Sequence, residues 1–261
     1  MRQRGFALLI VLWSLALLAL IGTRLTSAGR TEARIAINLR ANATAEALAD
    51  GAVHEAIFHF IDRSDRHWSA DGLPRTLNVP GASVDVRIVP QGGMINPNLA
   101  TAPLVAALLR QLGVQPREAA SIAAAIFDWR TEGALASPLG AKAAQYRAAG
   151  RDYGPPGKPF ESLDELSAVL GMNPALLAAV RPYLSLYNFG PVDPRLAGPM
   201  VLRALADSGV GQPPGDDVGT ILVVIAAVTL VDGTSFIRRA TLRLVPRGMP
   251  YQMLAWESVV L

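Results

Sequence analysis

The chain contains no cysteine in 261 residues. Disulfides, cysteine-zinc sites and thiol chemistry are thereby excluded, while the redox compartment stays open. Histidine is almost as scarce, with His54, His59 and His67 the only three. His54-Glu55 and His59 superficially follow a zinc-protease pattern, but that pattern needs a separation of four so that both rings share one helix face. Their separation of five turns the rings about 140° apart at 100° per residue. His67 has no partner near it in sequence. Charge is limited too: 17% of residues are charged and the formal balance is +3, too small and too scattered to argue for nucleic acid. No Gly-x-Ser-x-Gly elbow, phosphate-binding Gly-x-x-x-x-Gly-Lys-Ser/Thr loop or dinucleotide Gly-x-Gly-x-x-Gly turn is found. The paired carboxylates Asp164-Glu165 and Asp216-Asp217 sit at a helix start and in a linker, where dipole compensation and a solvated turn explain them. These absences describe a chain that is not an enzyme.

The N-terminus is far more informative. A basic leader, Met1-Arg2-Gln3-Arg4-Gly5, breaks directly into the uncharged run Phe6 to Thr23. Eighteen helical residues rise about 27 Å, close to the thickness of a bilayer's hydrocarbon core. Arg2 and Arg4 hold its start in the cytoplasm by the positive-inside rule, against a weaker contrast from Arg24, Arg30 and Arg34 beyond it. Ser27-Ala28-Gly29 has the form of a signal-peptide cleavage site, but no proline follows before Phe60 and Ala, Leu, Glu and Arg are frequent. A single helix of up to about 55 residues, leaving the membrane and continuing beyond it, is the expectation. Ile35, Leu39, Ala43, Leu48, Ala52, Ile57 and Phe60 recur along it as an apolar stripe to be covered.

The remainder, in a chain 51% hydrophobic, suffices for one large or two small domains. Asp62 to Pro80 reads as irregular loop, and Ala82 to Val89 alternates as a half-buried strand. Near the C-terminus, Thr220 to Leu230 and Ser235 to Val245 are β-rich runs on either side of Asp232-Gly233, a hairpin turn, with a short strand around Gln252 to Val260. Between them lies a helical block rich in Ala, Leu and proline punctuation. Pro103 to Leu112, Pro116 to Trp129, Ser162 to Leu170, Pro174 to Val180 and Pro199 to Ala206 each begin beside a proline or a capping residue. Ser162 and Glu165 fit a capping box, whereas Gly150 to Pro159 and Gly209 to Gly219 read as loops. The expected fold class is α+β: a long N-terminal membrane-spanning helix packed on a small antiparallel sheet, with a large all-α insertion between strands. The expected divisions are leader 1–5, helix 6–60 with its membrane part 6–23, sheet regions 61–94 and 212–261, and insertion 95–211.

A basic leader ending in glycine, then phenylalanine and an apolar helix, resembles the class III signal of type IV pilins and pseudopilins. The order of Gly92-Gly93-Met94-Ile95-Asn96-Pro97-Asn98, Phe127-Asp128-Trp129, Lys158 to Leu166, Gly171-Met172, Pro182-Tyr183-Leu184 and Tyr251 to Trp256 resembles the type II secretion minor pseudopilin family called general secretion pathway protein K. Nearly the whole chain is covered. The resemblance implies cleavage after Gly5 by a prepilin peptidase and methylation of Phe6. Where most pseudopilins have glutamate at the fifth mature residue, this chain has Ile10. Lacking the carboxylate that neutralises a neighbour's terminal amine, it is expected at the tip of the pseudopilus, since an unpaired ionised group in lipid is expensive. The implied function is to prime pseudopilus assembly and support export of folded proteins across the outer membrane. Its implied location is the inner membrane, single-pass, with the bulk of the chain periplasmic. The implied partners are other minor pseudopilins through the N-terminal helix, the prepilin peptidase and the inner membrane, with secreted substrates as a further contact and no nucleic acid.

Two ligand expectations accompany this. Some relatives carry calcium in the insertion, and Asp128, Glu132 and Asp152 are its candidates here by position, although Arg130-Thr131-Glu132 replaces the acidic run usual after the tryptophan. No other cofactor is implied. Pro191-Val192-Asp193-Pro194 likewise stands in place of a second Asn-rich turn. The alternative function, a signal-anchored periplasmic protein with a DNA-uptake or adaptor role, rests on Leu112-Gly113-Val114-Gln115-Pro116 and Leu170-Gly171-Met172-Asn173-Pro174. Both join short helices as in helix-hairpin-helix modules, with Gln115 and Asn173 where the phosphate-approaching second glycine belongs. Tyr146, Tyr153, Phe160, Tyr183, Tyr187 and Phe189 are read as core or loop anchors, a minority of them as a contact surface.

Overall fold

The proline-free N-terminal stretch forms α1, Arg4–Ile61, in a computed structural model that describes residues 4–209, 220–245 and 250–259. Its end is set by Asp62, whose carboxylate accepts from the Ser64 hydroxyl at 2.5 Å and the Ser64 amide at 3.1 Å. Those bonds hold the Asp62 pKa below its ordinary value. The last third of α1 buries Ala45, Ala49, Ala52, Val53, Ala56 and Ile57. Small side chains at these helical spacings let the helix lie close on a sheet.

That sheet has five antiparallel strands in sequential order: β1 Arg75–Val79, β2 Ala82–Pro90, β3 Ile221–Leu230, β4 Ser235–Leu244 and β5 Tyr251–Val259. One face supplies Val84, Val86 and Ile88, then Leu222, Val224, Ala226 and Val228, then Ala240 and Leu242, and these close a core with α1. The alternation expected in β2 is present, and β3 and β4 turn about Asp232-Gly233, where Asp232 Oδ1 accepts from Thr234 N at 2.8 Å. The register of β4 and β5 shifts at Thr241/Leu242. The loop expected over Asp62 to Pro80 is corrected by β1, which pairs with β2 from Arg75↔Val86 to Val79↔Ala82. Pro80-Gly81 makes the turn, with Gly81 at φ 79°, as the third residue of a type II turn requires.

The chain leaves the sheet after β2 and returns at β3, and the intervening segment builds a second core. Its helices are α2 Ala102–Gln111, α3 Pro116–Arg130, α4 Ala143–Ala148, α5 Pro174–Val180 and α6 Pro199–Ser208, with 3-10 turns at Leu163–Ala168 and Arg181–Tyr183. Four of the five expected helices are α-helical. The one expected at Ser162 is a 3-10 turn closed by the expected capping box: Ser162 Oγ accepts from Asp164 N at 3.1 Å and Glu165 Oε1 from Ser162 N at 2.9 Å. α2 is buried continuously from Leu104 to Leu109 because α3 and α6 both pack on it, and Arg110 pairs with Asp207 at 2.8 Å across the α2/α6 seam.

No helix among the described residues is long and apolar enough to cross a membrane. Within the expected span Phe6 to Thr23, the side chains at 7, 8 and 21–23 lie outside the described residues, as do Met1 to Gln3 and most of the expected linker at 210–219.

Candidate assembly interface

In the N-terminal two thirds of α1, the described side chains stand clear of both the sheet and the insertion. Phe6, Leu9 to Leu12, Trp13, Leu15, Leu17, Leu18 and Leu20 are exposed, as are Ile35, Ile37 and Leu39 further along. The expected stripe is therefore covered only from Leu48 onward: Ala52 and Ile57 are buried and Phe60 half-buried, whereas Ile35 and Leu39 are 53% and 64% exposed. The sheet is only wide enough to shield the last turns. Gly5 lies in the first turn of α1, next to exposed Phe6. Ile10 is 51% exposed and, with Leu9, Trp13, Ser14 and Leu17, outlines a shallow groove along one side of the helix.

Where α1 meets the sheet, a charged contact fixes its position. Arg238 on β4 is buried, with Nε 2.5 Å from Asp50 Oδ1 and Nη2 2.6 Å from Glu46 Oε1, carboxylates one turn apart on α1. Its guanidinium also lies over the Phe236 and Trp256 rings, at 4.9 and 5.2 Å. Burial draws the arginine pKa down, but the bonds to Asp50 and Glu46 outweigh it and the net shift is upward. His54 stacks on the Trp256 ring at 5.5 Å, and His59 on Trp68 at 4.5 Å with Nδ1 3.1 Å from Arg66 O. Each histidine has its own aromatic neighbour, and His67 Nδ1 lies 3.1 Å from Asp62 O.

A set of asparagines ties the segment that follows β2 to later parts of the insertion. Asn96 is buried and donates to Asn188 O at 2.9 Å and Leu186 O at 3.2 Å. Asn188 reciprocates, donating to Met94 O at 2.7 Å and Gly92 O at 3.3 Å. Asn98 grips the Phe160 backbone from both sides, accepting from its N at 2.7 Å and donating to its O at 2.9 Å. The Gly92 carbonyl also accepts from Asp193 N at 2.8 Å. A Cβ on Gly93 would come within 2.2 Å of Leu196 O, so only glycine lets these two segments touch.

Residues 84–189 match the family model described as Type II secretion system (T2SS), protein K. That segment runs from the start of β2 through the asparagine joint. Over that segment the chain is similar to the type II secretion system protein K family. The curated Type II secretion system protein K of Aeromonas hydrophila is 27% identical over 243 residues, covering 80% of this chain and 73% of that one. In fold, the chain resembles one in the crystal structure of the GspK-GspI-GspJ complex from the enterotoxigenic Escherichia coli Type 2 Secretion System. The TM-score is 0.59 at 17% identity, covering 88% of this chain and 99% of that one. Inside the matched segment, the Gly92 to Asn98 block has a physical meaning: Gly93 permits backbone contact and the asparagines satisfy the carbonyls brought together there.

The three calcium candidates are not brought together into one group among the described residues. Asp128 is buried and both of its carboxylate oxygens accept from Ser137 N, at 3.0 and 3.3 Å. A Cβ on Gly140 would lie 2.1 Å from Asp128 Oδ2. Glu132 and Asp152 are exposed, and no group of three His, Asp or Glu side chains placed to hold a metal occurs among the described residues. The Asp128 and Thr131 carbonyls are both taken by the Lys142 ammonium. Sequence reasoning missed this lysine, although a Lys in a Gly-Ala-Lys-Ala-Ala segment poor in charge is the available clue.

The two hairpin turns do share a shape, with Gly113 and Gly171 at φ 89° and 90°. Asn173 is committed to its own helix, accepting from Leu176 N at 2.8 Å. Of the aromatic residues, Tyr146 and Phe160 are core, flanking Trp129. Burial pushes the Tyr146 pKa up, partly opposed by the hydrogen bond from Leu170 N. Phe189 is 46% exposed under Arg243 and borders a 340 Å³ groove with Ile95, Leu99, Leu104, Pro191 and Val192.

Proposed function

We propose that this chain is the tip subunit of a type II secretion pseudopilus, a non-enzymatic protein anchored in the inner membrane that primes assembly and supports export of folded proteins. The observation that carries this reading is α1 itself. Its C-terminal third is pinned to the sheet, while the described apolar side chains between Phe6 and Leu39 lie bare along the rest. Such a surface needs lipid around Phe6 to Thr23 and partner helices beyond it. The related Escherichia coli chain was solved together with GspI and GspJ, which supports other minor pseudopilins as the partners here.

Ile10 gives the reading its polarity. A carboxylate at that depth is tolerable only when paired, and an aliphatic side chain there removes the need for a subunit ahead. The bulk of the insertion is a further obstacle to a subunit ahead. Cleavage after Gly5 by a prepilin peptidase and methylation of Phe6 complete the proposal. Its test is the N-terminal mass of the full chain expressed with and without that peptidase. A product beginning at N-methylated Phe6 is the expected result, and cleavage near Ala28, or none, would overturn the pseudopilin reading.

A further inference from the structure

Lys142 lies inside the insertion, only 4% exposed, where a lysine is rarely found. Its ammonium does not reach toward solvent. It donates to Asp128 O at 2.5 Å and to Thr131 O, the carbonyls that end α3. A lysine ammonium is a compact charge with three donors, and a cation is favoured at a helix C-terminus, where unpaired carbonyls concentrate negative potential. Burying that charge is costly unless oxygen atoms replace its water, so two carbonyls converging on one nitrogen signify a purpose-built cation position.

The surroundings depend on it. From Thr131 to Ala141 the chain has no helix or strand. It is held by Ser137 N on the Asp128 carboxylate, by Ser121 Oγ donating to Leu139 O at 3.0 Å, and by Gly140 N on Ser137 O at 2.9 Å. Leu139 sits at φ 65°, a left-handed conformation that is unfavourable for a leucine and persists only where neighbours enforce it. Lys142 is also the residue before α4, its backbone N donating to Gln145 Oε1 at 3.0 Å. One side chain thus ties the end of α3 to the start of α4 and closes the intervening loop.

We propose that the Lys142 ammonium is the resident cation of the insertion, filling with a tethered charge the place where an oxygen-lined loop would otherwise recruit a divalent ion. α3, the 131–141 loop and α4 then keep their arrangement without calcium. This inference stands apart from the tip reading, because it concerns only the internal construction of the insertion.

Hydrogen exchange of the full chain in detergent tests it, read in peptides covering 131–141. For the unaltered protein, uptake is expected to be the same in millimolar calcium and in excess EGTA. Lys142→Met keeps the stem and removes the charge; it should make these amides exchange at least about tenfold faster, in either solution. Faster exchange of the unaltered chain in EGTA, or a folded Lys142→Met chain as protected as the original, overturns the proposal. The calcium and EGTA arms need no variant, so they decide the matter even where the substituted chain fails to fold.

Discussion

At the scale of single residues, the contact between Arg238, Glu46 and Asp50 does what the alanines of α1 cannot. Apolar burial of Ala45, Ala49, Ala52 and Ala56 holds the helix near the sheet but is nearly indifferent to sliding and rotation. The guanidinium fork, meeting two carboxylates one helical turn apart, selects one rotation and one height. Arg238→Met should therefore destabilise the chain by about 1–2 kcal/mol, less than the figure for a fully buried pair because Glu46 and Asp50 are partly in water. Arg238→Lys should recover only part of that loss, since an ammonium lacks the fork. Denaturant unfolding measures both, and a Met variant as stable as the original would show that the pin is ornamental. Glu46 and Asp50 stand four apart on an alanine-rich face, a pattern readable in sequence; that their partner comes from a strand almost two hundred residues later is not.

At the scale of elements, legibility follows the strength of the local signal. Proline or asparagine at helix starts and Asp-Gly at a hairpin are backbone constraints acting within a few residues, so α2, α3, α5, α6 and the β3/β4 hairpin are readable with their bounds nearly right. β1 escapes a reading of the sequence because Arg-Thr-Leu-Asn-Val is short and half-exposed, leaving Pro80-Gly81 as its only mark. α4 spans six residues with a single buried side chain, Tyr146, and carries no stripe to read. The asparagine joint is visible as a block of residues but not as a joint, since its bonds span about 90 positions. That joint makes a prediction about glycine. At Gly93 an added Cβ would meet the Leu196 and Ala197 backbone, whereas at Gly92 it would meet only the tip of the Leu196 side chain, at 3.2 Å. Gly93→Ala should cost about 2–3 kcal/mol and Gly92→Ala well under half as much, because a side chain can move aside and the backbone cannot. Thermal unfolding of the two variants side by side gives the comparison, and equal losses would mean that the approach of the two segments is not what stabilises the joint.

At the scale of the whole molecule, two cores share one chain: α1 on a sheet, and a helical insertion that leaves after β2 and returns at β3. Among the described residues, neither covers α1 before about Ala41. The insertion adds bulk without widening the sheet, and in the proposed reading the bare part of the helix is left to lipid and to other subunits. If the chain is first in the filament, a carboxylate at position 10 has no amine ahead of it to meet. Ile10→Glu would then place an unpaired ionisable group in the membrane at a cost of about 3 kcal/mol, while Ile10→Leu would be neutral. If a prepilin peptidase processes the chain, cleavage at Gly5 should be the same for both, because position 10 lies beyond the cleaved bond. Cross-linking to partner pseudopilins in the membrane should fall several-fold for the Glu variant and hold for the Leu variant. An Ile10→Glu chain that instead cross-links more strongly, and to a subunit ahead of it, would show that the insertion leaves room there and that this chain is not confined to the tip.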